Sequence, residues 1–395
     1  MTMLSYKEAL ARLLDGLTTL TAEAVSLREA AGRTLAEPVV AAFDQPPFPA
    51  SAMDGYAIRW SDMPGPWTLI GESAAGRAFD RSVGKGETVR IFTGAPLPDG
   101  ADTVVVQEDV TVSGATIALT GDGPPGEGGH VRQAGSDFRK SNELLNAGQR
   151  VGHAMVGLAA TSGHNALNVV RRPRVTLIAT GDELVLPGET PGPSQIVAGN
   201  GVMLASLLEG EAAMVEDLGI VPDDLDAISR AIAEASSADI VVTIGGASVG
   251  DHDLVRDALD AAGATLDFWR IAIKPGKPLI AGRIGAARLV GLPGNPVSAF
   301  VCATLFLLPM IRRLQGLPAE LPITNAELMA PLPANSERGD HLRAQLSGGK
   351  VTPIAKQGSA HLAALATANA LIVRPPHAEA AEPGESVPVL LLDRS

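Results

Sequence analysis

Two carboxylates two residues apart, Asp251 and Asp253, close the run Gly245-Gly246-Ala-Ser248-Val-Gly250-Asp-His-Asp253. Before it stands a short apolar run rich in β-branched residues, Ile240 to Ile244, which reads as a buried strand. After it, Leu254, Val255, Ala258, Leu259 and Ala262 fall on one face of a helix. Strand, glycine loop and helix together aim backbone N–H groups and a helix N-terminus at an anion. Carboxylates in such a loop suit a hard cation such as Mg²⁺ that bridges to phosphate. The same residues have a plainer use, since either Asp can cap the helix. Both readings stand at this point.

Further groups able to do chemistry lie in short proline- and glycine-bound segments. These are Thr180-Gly-Asp-Glu183, Lys274-Pro-Gly-Lys277-Pro and Gly291-Leu-Pro293-Gly-Asn-Pro296. Lysines held by Pro-Gly chemistry suit phosphate or another oxyanion better than a freely solvated loop would. Asp54-Gly55 is a turn signal that also presents a carboxylate.

The elements that must carry these groups alternate between strand and helix from Arg174 onward. Strands are expected at 174–179, 213–219, 239–244 and 266–273, and helices at 201–210, 224–235, 253–262 and 296–314. That alternation predicts a parallel sheet with helices on both faces. Ligands of such sheets bind beyond the carboxyl ends of the strands, where the three segments and the Gly245–Asp253 loop all fall.

Elsewhere, Ser5 can cap a helix over 5–15 with Leu10, Leu13 and Leu14 on one face, and a second helix is expected around 26–34. From Trp67 to Thr120 short alternating runs broken by Gly and Pro indicate strands. A helix over 153–162 and a strand over 166–170 precede the boundary Arg171-Arg172-Pro173. Residues 321–395, with many prolines and short apolar runs, predict a small β-barrel-like domain. The whole is a multidomain α/β and β protein with a β-rich N-terminal half.

Composition narrows the function classes. A net charge of −13 over 395 residues argues against nucleic acid as the main partner. Cys302 is the only cysteine, which excludes a disulfide framework and a cysteine zinc site, and the seven histidines lack metal-ligand spacing. The longest apolar run, Val297 to Ile311, carries Pro309 and reads as a buried helix too short to span a bilayer. Without a basic and apolar leader at Met1–Lys7, the expectation is a cytoplasmic protein that makes no use of a membrane.

Several segments stand in the order and spacing of one family. Ser51-Ala-Met-Asp-Gly-Tyr-Ala, Phe92-Thr-Gly-Ala-Pro, Thr180-Gly-Asp-Glu-Leu, Gly245-Gly-Ala-Ser-Val-Gly-Asp, Ile273-Lys-Pro-Gly-Lys-Pro and Gly291-Leu-Pro-Gly-Asn-Pro-Val-Ser resemble the MoeA proteins and the E domain of gephyrin. Gln357-Gly-Ser and Ala368-Asn-Ala-Leu fit as well, so the resemblance covers almost the full chain. It implies a molybdenum insertase, which takes adenylylated molybdopterin and molybdate as substrates and releases AMP in a Mg²⁺-dependent step. It implies a homodimer with a shared cleft, and as further partners molybdopterin adenylyltransferase and proteins that mature molybdoenzymes.

With the pattern breaks above, the resemblance divides the chain into four domains. These are a connector of 1–44 with 147–171, a β-rich insert of 45–146, a MogA-like molybdopterin-binding domain of 172–320 and a C-terminal barrel of 321–395. Carried over by position, Glu183, Asp223 and Asp253 are the acidic groups of the cleft, with Asp253 and Glu183 toward Mg²⁺. Lys274 and Lys277 hold phosphate or molybdate, and Lys277, Ser298, Arg343 and Ser359 form the oxyanion pocket. Asp54, Thr93, Arg132 and Asp137 are the contributions of the N-terminal half, while Pro293 and Pro296 shape their loop.

The chain departs from the family pattern in three places. Ala198-Gly199-Asn200 stands for Asp-Ser-Asn, Pro49-Ala50 for Asp-Asn, and Arg270 for a Lys of some members. Two other functions fit parts of the pattern. One is a non-catalytic molybdopterin-binding scaffold, which would not need Glu183 and Asp253. The other is a molybdopterin adenylyltransferase, which would need neither the N-terminal half nor the barrel.

Overall fold

The computed structural model describes residues 3–246 and 254–392, which fall into two compact units. The first unit comprises residues 1–23, 32–34 and 170–395; the second comprises 24–31 and 35–169.

The first unit is built on a six-stranded sheet. Its strands are β1 (Arg174–Thr180), β2 (Met214–Val221), β3 (Ile240–Ile244), β4 (Thr265–Arg270), β5 (Pro278–Ile284) and β6 (Ala287–Leu292), in the spatial order β2-β1-β3-β6-β5-β4. β2, β1, β3 and β6 run parallel, whereas β5 is antiparallel to both β6 and β4, so the sheet is mixed where the alternation pattern alone predicts a parallel one. Every residue of β3 is buried, as expected of a strand covered on both faces.

Helices α1 (Tyr6–Leu14), α2 (Asn200–Gly210) and α5 (Pro296–Leu314) pack on one face, with Leu13, Leu204, Leu208, Phe306 and Met310 meeting Leu177, Val242 and Val290. Helices α3 (Leu225–Ala235) and α4 (Leu254–Ala261) cover the other face through Ile228, Ile232, Val255 and Leu259. The expected cap of α1 is present as a capping box between Ser5 and Glu8. Helix α5 opens with Pro296 in its first turn and contains a π-helical segment, Ala303–Leu307, just before Pro309. The wider turn falls where proline removes a backbone donor from the ladder. At 19 residues and a mean hydropathy of 1.6, α5 is long and apolar enough to cross a membrane, longer than the apolar run alone suggests. It is 83% buried inside the protein, however, and is therefore a core helix.

The C-terminal strands β7 (Ile323–Leu328), β8 (Gly339–Ser347), β9 (Lys350–Pro353), β10 (Ala370–Arg374) and β11 (Ser386–Leu391) close on themselves in the order β8-β9-β7-β11-β10, with β10 pairing back to β8. Closure leaves no free edge and encloses Leu328, Ala344, Val351, Ile372 and Val389.

The second unit holds its own six-stranded sheet, in the order 103–106, 55–58, 87–91, 67–73, 116–119, 110–113. Of the pairs in it, only 67–73 with 87–91 is parallel. A separate core, including Leu35, Val39, Leu145, Ala159 and Leu167, forms beside the helix His153–Thr161. The helix expected around 26–34 is reduced to one turn, Leu27–Ala30, because the chain leaves it at Gly32 with φ +77°.

Candidate active site

The carboxyl ends of β1, β3 and β6 enclose a cavity of about 450 Å³ in the first unit. Its wall includes Thr180, Glu183, Asn200, Gly245, Gly294 and Pro296. The cavity therefore lies where a sheet of this topology presents its ligands, at the divergence of β1 and β3. Gly245 makes the close approach possible, since its φ is +94° and a Cβ there would lie 2.9 Å from the Thr180 carbonyl oxygen. Asn200 opens α2 and donates from Nδ2 to the Gly294 carbonyl at 2.7 Å, tying that helix to the loop after β6. Ala198 and Gly199, the positions that depart from the family pattern, also line the cavity, so no acidic or hydroxyl side chain enters from there.

Carboxylates gather on the loops after β1 and β2, where Glu183 also lines the cavity. The Asp182 N–H donates to Asp223 Oδ2 at 3.4 Å, and the Asp223 N–H donates to Asp182 Oδ1 at 3.1 Å. These reciprocal bonds lock the loop after β1 to the loop after β2. The carboxylate of Glu183 folds back over Gly181, whose position a Cβ would contest at 2.5 Å. Asp182, which the motif pattern does not single out, stands beside Glu183 in the sequence, but its pairing with Asp223 after another strand leaves no local signal. Ser248, Gly250 and Asp253 lie outside the described residues; Gly245 and Gly246 are described, both with positive φ. Among the described residues, no group of three or more His, Cys, Asp or Glu side chains is placed to hold a metal ion. Asp182, Glu183 and Asp223 nonetheless offer only hard oxygen donors, which suits a cation held by one or two carboxylates and by substrate phosphates.

A second cluster surrounds the first turns of α5. Arg343 is wholly buried in β8. Its Nη2 donates to the carbonyls of Lys356 at 2.6 Å and Gly358 at 3.2 Å, while Nε and Nη1 have no partner among the described residues. Gln357 locks the same loop, accepting from the Arg343 N–H at 3.0 Å and donating to its carbonyl at 2.8 Å. The next residue but one, Ser359, accepts through its carbonyl from the Val297 N–H at 3.0 Å, beside the buried Ser298. One turn further along α5, Cys302 packs against Gly276, where a Cβ would lie 2.4 Å from Sγ. That contact seats the loop bearing the exposed Lys274 and Lys277 on the same helix. Ser298, Arg343, Ser359 and the lysine loop are thus joined through one helix end. The absence of a carboxylate partner for Arg343, with burial pushing its pKa down, marks a place that an anion would stabilise.

In the second unit, Asp54 Oδ1 accepts from the Thr93 N–H at 2.7 Å and from Thr93 Oγ1 at 2.8 Å. These bonds, with a smaller effect of the Arg90 guanidinium, hold the Asp54 carboxyl below the usual carboxylate range. Ser51 links the neighbouring strands: its carbonyl accepts from the Gly94 N–H at 2.8 Å, and it pairs with Val131 beside Arg132. Asp137 is placed by its N–H, which donates to the Gln45 carbonyl at 2.9 Å. Asp54 and Thr93 are therefore brought into direct contact, while Arg132 and Asp137 belong to the same strand-and-loop framework.

Three family models match the chain: "MoeA N-terminal region (domain I and II)" over residues 4–163, "Probable molybdopterin binding domain" over 176–313 and "MoeA C-terminal region (domain IV)" over 325–392. Among curated relatives, the molybdopterin molybdenumtransferase of Haemophilus influenzae is 39% identical over 80% of this chain and 78% of its own. A Mycobacterium tuberculosis protein named molybdopterin molybdenumtransferase 2 is 35% identical over 88% of this chain and 89% of its own. A solved structure of the molybdopterin biosynthesis MoeA protein from Pyrococcus horikoshii superimposes with a TM-score of 0.84 at 30% identity, covering 99% of this chain and all of that one. Family models, sequence identity and overall fold agree, and the chain belongs to the MoeA family of molybdopterin molybdenumtransferases.

Proposed function

We propose that this chain transfers molybdenum from molybdate to molybdopterin presented as its adenylylated form, with release of AMP. The observation that carries the reading is the buried guanidinium of Arg343, with Nε and Nη1 unpartnered, seated beside Ser298 and the loop of Ser359. A tetrahedral oxyanion needs several fixed donors, and a guanidinium, hydroxyls, lysines and backbone N–H groups are such a set. Molybdate takes this place, with Lys274 and Lys277 adding positive charge from the loop packed on the same helix. The cavity bounded by Thr180, Glu183, Asn200 and Gly245 receives the phosphate-bearing part of the substrate.

Breaking the phosphoanhydride concentrates negative charge on the leaving phosphate, and fixed cations nearby lower that barrier. Glu183 and Asp253, helped by Asp223, would hold Mg²⁺, which supplies charge neutralisation to the phosphates when bound. The carboxylates on the loops after β1 and β2 orient the substrate and exclude a bare anion from the metal-free site. Asp54, positioned by Thr93, serves the reaction from the second unit, and we take the working form to be a homodimer in which one reaction draws on two copies of the chain.

The test is AMP release from adenylylated molybdopterin, measured with and without molybdate and with excess EDTA. Release that requires molybdate and stops with EDTA supports the reading. Equal release in EDTA would remove the metal from it, and equal release without molybdate would remove the coupling to metal insertion.

A further inference from the structure

We propose that Arg90 is the positioning residue for Asp54, clamping the turn that carries it through the carbonyl of Gly55. The proposal rests on the reading of Asp54 as a participant in the reaction. Arg90 lies on the strand Glu87–Ile91 and is paired directly with Tyr56 on the strand Gly55–Ile58. Its guanidinium stands over the Tyr56 ring at 5.1 Å and over the Phe92 ring at 4.8 Å. Those rings belong to the strand that follows Asp54 and to the residue just before Thr93, so one cation grips both sides of the Asp54–Thr93 pair.

The planar fork of the guanidinium completes the clamp. Nη1 donates to the Gly55 carbonyl at 3.0 Å, and Nη2 donates to Gln107 Oε1 at 2.5 Å. The Gln107 N–H in turn donates to the Asp54 carbonyl at 3.1 Å. The turn is thus held at the two peptides that follow Asp54, one on either side of the Gly55 Cα. Gly55 itself cannot be replaced, because a Cβ there would fall 2.0 Å from the Val105 carbonyl oxygen. A lysine could supply the charge but not two donors in fixed geometry between two ring faces.

The experiment is a double-mutant cycle on single-turnover AMP release, using Asp54→Asn, Arg90→Ala, Arg90→Lys and Asp54→Asn/Arg90→Ala in the full-length protein. Thermal melts accompany each variant. Arg90→Ala should slow the reaction on the order of ten- to a hundredfold, matching the loss of a charged hydrogen bond and its aromatic contacts. Arg90→Lys should recover only part of the rate. On the Asp54→Asn background, Arg90→Ala should cost less than about twofold, because its effect passes through Asp54. Independent, multiplying losses would mean that Arg90 merely stabilises the sheet and would overturn the proposal. A wild-type rate for Arg90→Ala beside a slow Asp54→Asn would also overturn it while leaving the role of Asp54 intact. A wild-type rate for Asp54→Asn would overturn both.

Discussion

Replacing Arg343 with methionine separates anion binding from folding. Among the described residues the wholly buried guanidinium donates through Nη2 alone, with Nε and Nη1 free of partners. Methionine fills a comparable volume, so no large cavity is expected. The Lys356 and Gly358 carbonyls lie in an exposed loop, where water can replace the lost donors. Removing a buried cation that has no carboxylate partner also removes a desolvation penalty. The melting temperature of Arg343→Met should therefore stay within a few degrees of wild type. Molybdate, by contrast, loses at least one charge-assisted bond worth about 1.5–3 kcal/mol. That corresponds to roughly a ten- to 150-fold higher molybdate concentration at half-maximal rate, with the maximal rate less affected. The assay is a molybdate titration of AMP release for both proteins, beside their thermal melts. A midpoint within about twofold of wild type, in a folded variant, refutes the assignment of this side chain to the oxyanion.

Three other outcomes are expected. Thr93→Val removes one of the hydrogen bonds that favour ionised Asp54, so the Asp54 pKa should rise toward its ordinary value, and an unchanged carboxyl titration by carbon NMR would count against the contact. His341 is buried with Nδ1 unpartnered, and burial lowers its pKa to about 4. The unfolded state then binds the proton first, so stability is complete above pH ~6.5 and falls by up to roughly 3 kcal/mol between there and pH ~4. His341→Phe should flatten that part of the melting-temperature profile, and an identical slope would show that other groups control it. Mixing Asp54→Ala with Glu183→Ala should restore partial AMP release if one reaction draws on two copies, whereas full activity from a wild-type monomer at micromolar concentration excludes the dimer reading.

The strand Ile240–Ile244 was legible because a short β-branched run ending in two glycines has few other interpretations, and both Gly245 and Gly246 take positive φ. The hairpin β5–β6 was not. Its glycines read as loop punctuation, yet Gly291 stands in the middle of the sheet because a Cβ there would lie 2.8 Å from Ile280 Cβ. Glycine marked close packing of neighbours, not a turn. Resemblance pointed to Arg343, but its burial depends on accepting carbonyls in a loop more than ten residues away, and local pattern carries no trace of them. Asp182 was hidden for a related reason, since its partner Asp223 follows another strand. Pattern reveals which face of an element is covered; it does not reveal which distant loop will supply a polar partner.

The packing of Cys302 under Gly276 has a practical consequence for optical and spin-label work. This is the only thiol in the chain; it is completely enclosed, and burial pushes its pKa well above the ordinary value. Maleimide and disulfide reagents act on accessible thiolate, so the native protein should behave as though it had no cysteine. It can accept a single engineered thiol in either unit without first losing its own. Conversely, the appearance of one reactive thiol under mild denaturant would report separation of the lysine loop from helix α5, before any change in secondary structure needed to be detected.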